Sequence, residues 1–87
     1  MKLKYEFAVR EIAGDYVLVP MGAAALKLSG MIATNAVGAF IWEQLMSETT
    51  AEAITKRLLE EFQIDVVTAA NDVKEFVRKL QELDLVE

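Results

Sequence analysis

The side chains with the most chemistry in this chain are its carboxylates and amines. Glu60, Glu61, Asp65 and Asp72 lie close in sequence, and paired carboxylates are the raw material of general acid–base catalysis. Lys74, Arg78 and Lys79 follow close behind, a grouping that would suit phosphate or an acidic peptide. Neither set is completed by its surroundings. The chain has no histidine and no cysteine, so the commonest neutral-pH base and transition-metal ligand is missing. Zinc, haem and iron–sulfur sites of the usual kinds lack ligands. Ser-His-Asp and Cys-His nucleophile systems cannot be built. No nucleophile or oxyanion donor set accompanies the carboxylates, which therefore read as solvated surface. No catalytic residue, metal ligand or cofactor is expected.

The amines are weighed down by the overall charge. Nine Lys and Arg stand against fourteen Asp and Glu, a net charge of −5. Binding to a phosphate backbone depends on clustered Lys and Arg. Lys74, Arg78 and Lys79 are interleaved with Glu75 and Glu82, as on a solvated face. An acidic-peptide contact is the next reading, and a DNA-reading helix the last.

The elements that must carry these residues divide the chain in two. With 87 residues and 54% hydrophobic content, one domain with a modest core is expected. No window reaches the ~18 consecutive apolar residues of a membrane span. The charged start, Met1 to Glu6, has no apolar stretch behind it, so no signal peptide is expected and a cytoplasmic location follows.

The first third reads as strands. Phe7 to Ile12 alternates in part, Ala13-Gly14-Asp15 is turn-like, and Tyr16 to Val19 is a β-rich run ended by Pro20, which lacks a ladder N–H. Met21 to Ala24 is loop-like. Ala25-Leu26-Lys27-Leu28 and Met31-Ile32-Ala33-Thr34 flank Ser29-Gly30. They form either a hairpin or one strand bent by a bulge at Gly30.

The remainder reads as three helices. Asn35 caps the first, Ala36 to Met46, with Val37, Phe40, Ile41, Gln44 and Leu45 at helical spacing. Trp42 on this helix is core or edge packing first and a peptide contact second. Thr49 and Glu52 match a capping box for a second helix reaching about Phe62. Asp65 caps a third, from about Val66 to Leu83. Its broad stripe, Val66, Ala69, Ala70, Val73, Phe76, Val77, Leu80 and Leu83, is mainly core. Ala70 and Val77 at its margin are candidates to line a groove. A sheet followed by helices, the last two joined by a short turn, makes an α+β fold. It is winged helix-turn-helix-like, with three to four antiparallel strands.

Two stretches resemble a known family. Ile12-Ala13-Gly14-Asp15-Tyr16-Val17-Leu18-Val19-Pro20 and Met31 to Leu45, with Asn35, the small residues after it and Ile41-Trp42, look like the PqqD family, named for coenzyme PQQ synthesis protein D. The closing run Asp65-Val66, Asp72-Val73, Phe76-Val77, Leu80, Leu83, Leu85-Val86 is similar to that family's last helix. The resemblance spans nearly the whole chain. Thr34 stands where the family often has leucine, and Gly22 to Gly30 is longer than in compact members.

The resemblance implies a RiPP recognition element, a non-catalytic domain that binds the leader of a ribosomally made, post-translationally modified peptide. The leader would add as an antiparallel strand, with main-chain bonds supplying affinity and pockets supplying specificity. The expected contacts are Leu26, Lys27, Leu28, Met31, Ile32, Ala33 and Thr34 on the strand side. On the helix side they are Ala70, Lys74, Val77, Arg78 and Gln81. The implied partners are the precursor peptide and a radical SAM or other tailoring enzyme. A homodimer is left open, and neither nucleic acid nor membrane is expected. The alternative is a winged-helix transcription regulator or protein-interaction module.

Charge separates these readings. At ~150 mM salt the protein is expected to give no mobility shift with duplex DNA at micromolar concentration. A tight, salt-sensitive complex would favour the regulator.

Overall fold

The structure, a computed structural model, describes residues 1–28 and 30–87. Strand β1 (Phe7–Ile12) and strand β2 (Asp15–Pro20) pair antiparallel, in register from Phe7 with Pro20 to Ile12 with Asp15. Ala13 and Gly14 connect them at φ of 52° and 86°. Two left-handed residues make the primed turn whose twist matches that of the strands. Gly14 adopts it without cost, whereas Ala13 carries roughly 1 kcal/mol of strain.

The chain then departs from the expected hairpin. Helix α1 (Ala23–Lys27) forms where a loop and a strand were expected. Gly22, at φ 54°, turns the chain after Pro20, and three successive alanines with high helix propensity follow. Ala24 is fully buried beside β2, where a small side chain lets the helix lie close. Leu26 instead points to solvent, 92% exposed. Ala25 to Leu28 is therefore neither the first arm of a hairpin nor part of a bent strand. Ser29, from the expected turn, lies outside the described residues.

Strand β3 (Ile32–Thr34) pairs antiparallel with β2, Tyr16 opposite Thr34 and Leu18 opposite Ile32. The sheet order is β1-β2-β3. It is an α+β fold with the expected antiparallel sheet, and α1 is an added turn of helix within the sheet region.

Three further helices close over the sheet. Helix α2 (Ala36–Gln44) starts at Asn35, whose Oδ1 accepts the Gly38 N–H at 2.8 Å. Helix α3 (Ala51–Glu61) is capped by Thr50, not Thr49; the Thr50 Oγ1 accepts the Ala53 N–H at 3.1 Å. The Thr49 backbone is already engaged, donating to the Met1 carbonyl at 3.0 Å and accepting from the Met1 ammonium at 2.7 Å. Glu52 thus falls one position too early to close a capping box. Helix α4 (Val66–Glu82) starts at Asp65, which accepts from the Thr68 N–H at 2.8 Å and the Thr68 hydroxyl at 3.0 Å. These bonds, the backbone one first, hold its carboxyl below the ordinary aspartate range.

Trp42 occupies the middle of the core, fully buried. Phe7 meets it edge-on at 4.6 Å, and Phe76 at 6.4 Å. Leu18, Ile41, Leu45, Ile54, Leu58, Val73 and Leu85 are the other large side chains fully buried around it.

The end of α4 is fixed by a C-terminal cap. Asp84 takes a φ of 57°. Its N–H donates to the Gln81 carbonyl at 3.0 Å, and the Leu85 N–H donates to the Leu80 carbonyl at 2.8 Å. This is the Schellman pattern, with Leu85 buried against the preceding turn. Leu85 and Val86 continue into a bridge with the N-terminal segment. Leu3 pairs with Val86, and the Lys4 N–H donates to the Leu85 carbonyl at 2.9 Å.

The Asp84 carboxylate holds Lys4 at 2.6 Å and Lys27 at 3.1 Å. The Lys4 hydrogen bond, then that from Lys27, keeps its carboxyl below the ordinary range. A depressed pKa adds stability above the unfolded value that is lost as pH falls through the folded one. Asp84→Asn keeps a residue suited to the left-handed backbone and removes only the charge. The variant is expected to melt lower than wild type at pH 7. The gap should close as pH drops below about 4, checked by thermal unfolding across pH.

Candidate functional site

Two sheet edges remain, and they differ in kind. β1 carries Arg10 and Glu11 exposed at its outer end, the charges with which natural edges discourage further pairing. β3 carries no charged residue from Met31 to Thr34. Ile32 and Thr34 are half-buried and Ala33 is exposed, so the first two face the helices and the third faces out.

Beside this uncharged edge runs α4, and between them lies a groove of about 610 Å³. Its strand wall is Ile32, Ala33 and Thr34, continuing into Asn35, Val37 and Gly38. Its floor is Ile41 and Leu80, both buried. Its helix wall is Asp72, Glu75, Phe76, Lys79 and Leu83. Those positions follow the i, i+3, i+4, i+7 spacing of a single helix face. The volume is that of a ligand-sized cleft, here apolar at its base and charged along one rim.

Gly38 sets the width of the groove at one end. A Cβ there would collide with Thr34 Oγ1 and meet Phe76 Cε1 at 3.0 Å. Only a glycine lets the end of β3, the start of α2 and the middle of α4 come together. Phe76, half-buried, joins the groove to Trp42 beneath it.

Of the expected strand-side residues, Ile32, Ala33 and Thr34 line the groove, and Met31 precedes them 63% exposed. Leu26, Lys27 and Leu28 are elsewhere, on α1 and its cap. Leu28 packs against the core, and Lys27 binds Asp84 and lies over the Tyr5 ring at 5.5 Å.

On α4 the groove is lined by a different face from the expected contacts. Val77, 7% exposed, belongs to the core. Ala70, Lys74, Arg78 and Gln81 are exposed but line no part of the groove. Arg78 is committed to Glu75 at 3.0 Å and Glu82 at 3.9 Å. The stripe is wide because α4 packs on α3 as well as on α2. Its margin toward the sheet is the Phe76–Leu83 side. Asp72, Glu75, Phe76, Lys79 and Leu83 were therefore missed as groove residues, although their spacing was visible. Gly38, in a run of small residues, was the other available signal.

Chemically the groove offers an apolar base, a charged rim and an uncharged strand edge. Among the described residues no three acidic, histidine or cysteine side chains converge as a metal site would require. No helix is long and apolar enough to cross a membrane.

Comparison with known proteins adds four findings. The family described as Coenzyme PQQ synthesis protein D (PqqD) matches residues 14–86. A solved structure described as TbiB1 in complex with the TbiA(beta) leader peptide is similar over 100% of this chain and 95% of its own, at 25% identity and a TM-score of 0.70. A second, described as lasso peptide synthetase B1 complexed with the leader peptide, is similar over 93% of this chain and 89% of its own. Its identity is 20% and its TM-score 0.64, a likeness of fold. No curated protein matches the chain.

The close approach at Gly38 is directly testable. Gly38→Ala is expected to destabilise the fold by about 1–3 kcal/mol, as overpacking does, measured by urea denaturation. Adding Thr34→Ala, which removes the colliding hydroxyl, should recover part of the loss as a coupled pair.

Proposed function

The chain belongs to the PqqD family, and on that premise we propose that it binds the leader of a ribosomally made precursor peptide along β3 and presents it to a modifying enzyme. The observation that carries this reading is the uncharged edge of β3 opening onto an apolar groove against α4. An extended peptide can satisfy the main-chain groups of such an edge while its alternate side chains enter the groove. Both solved structures similar to this one are described as complexes with a leader peptide, which supports the same use here.

β3 is three residues long, so its ladder supplies few bonds. Side chains on Ile32, Phe76, Lys79 and Leu83 then carry much of the affinity. The protein has no catalytic role in this reading. A radical SAM or other tailoring enzyme acts on the peptide it holds, in the cytoplasm, and a homodimer is compatible with it. The regulator reading is disfavoured by the groove itself, whose helix wall carries Asp72 and Glu75 where DNA would need cations.

The test is titration of the isotope-labelled protein with synthetic leader peptides from candidate precursor genes. Amide shifts are expected in Ile32 to Thr34 and at Asp72, Glu75, Phe76, Lys79 and Leu83, with α3 quiet. Trp42 emission should change with them, because Phe76 lies between it and the ligand. Phe76→Ala should weaken binding by about tenfold, which is about 1.4 kcal/mol. Shifts confined to α3, with β3 silent, would overturn the proposal.

A further inference from the structure

Of the three charged residues on the groove's helix wall, only Glu75 is in an ion pair among the described residues. On α4, Arg78 takes both Glu75 and Glu82. Asp72 and Lys79 face the groove, and neither is in an ion pair among the described residues. They are two helical turns apart on one face, about 10.5 Å along the axis. Between them lie Phe76 and Glu75, whose charge Arg78 compensates at 3.0 Å, so the uncompensated pattern of the wall reads anion, aromatic, cation.

Its polarity relative to β3 follows from two contacts. Lys27 reaches Asp84 at the C-terminus of α4, so the chain approaches β3 from that end. It leaves β3 at Thr34, which shares the space around Gly38 with Phe76. β3 therefore runs toward the Asp72 end. A strand added antiparallel, the slightly more stable pairing, runs the opposite way, from Asp72 toward Leu83.

We propose that the peptide segment taken by this groove has a fixed order of side chains on its inward face. A basic residue lies beside Asp72, an apolar residue two positions later rests on Phe76, and an acidic residue two positions further meets Lys79. The inference rests on the proposed function and deepens it by naming the class of peptide. Inward residues of a strand recur every second position, and four positions span about 13 Å. The flexible Lys79 side chain spans the small excess over the helix spacing. Reversing the peptide sets its acid against Asp72 and its base against Lys79. A one-residue slip turns the whole pattern outward. The two charges thus select direction and register as well as composition.

A phage-displayed library of random dodecapeptides tests this on the intact chain. Wild type is expected to enrich basic–x–apolar–x–acidic sequences. The charge-swapped Asp72→Lys/Lys79→Asp variant, unchanged in net charge and checked for folding by circular dichroism, should enrich the reversed order. A synthetic winner should lose about two- to five-fold in affinity for Asp72→Asn, and more at low salt, as a partly exposed ion pair does. Enrichment that depends on Phe76 but shows no charge order, or the same order in the swapped variant, overturns this inference and leaves peptide binding standing. Enrichment indifferent to Phe76→Ala, or none at all, overturns both.

Discussion

The structure hangs on the junction at residues 34–38. Asn35 ends a strand and begins a helix within one residue, because its side chain takes the Gly38 N–H at 2.8 Å. Gly38 in turn presents no side chain to Thr34 or Phe76. A strand with only three residues in its ladder is thereby anchored to the helical layer at its C-terminal end. The edge of β3 and the face of α4 then meet at a fixed distance. Neither the groove nor its polarity would survive if that junction opened.

Around the junction the core acts as a brace. Trp42 fills the centre and touches both Phe7 of the sheet and Phe76 of α4. Its indole N–H is buried without a partner among the described residues, an unusual cost that the packing of the large ring offsets. At the other end, the Schellman cap and the bridge from Leu3 to Val86 pin α4 to the N-terminal segment. Asp84, held in the left-handed region, gathers Lys4 and Lys27. This ties α1 to α4 and places the start of the strand-bearing segment beside the end of the groove.

Electrostatics separates the surfaces that remain. The β1 edge is guarded by Arg10 and Glu11, whereas the β3 edge is bare. On α4, Arg78 is absorbed by its own helix neighbours, while Asp72 and Lys79 face the groove. A cluster that looks basic in the sequence is thus split. One cation is internally compensated, and another stands opposite an apolar floor where an extended chain would lie. An acidic domain can serve as a binding module in this way, since main-chain pairing needs no net charge.

Local preferences laid out most of the elements and many of their ends, α1 excepted. Partial alternation marked β1, a β-rich run ended by Pro20 marked β2, Asn35 and Asp65 announced their helices, and a 3.6-residue period marked α4. Each is a local preference, decided within a few residues. The same locality made the missing chemistry legible, since a chain without Cys or His lacks those ligands in any fold. Tertiary structure decided what locality could not. Ala23 to Lys27 became a helix because Ala24 fits closely against β2. Thr50 rather than Thr49 became a cap because Met1, remote in sequence, already held the Thr49 backbone. On α4 the apolar stripe is wide enough to face two neighbours, and Val77 and Phe76 are one residue, about 100°, apart. Which of them meets the sheet is set by the angle at which α3, α2 and the C-terminal clasp hold the helix. That angle is a property of the packed layers and is written in no single segment of the chain.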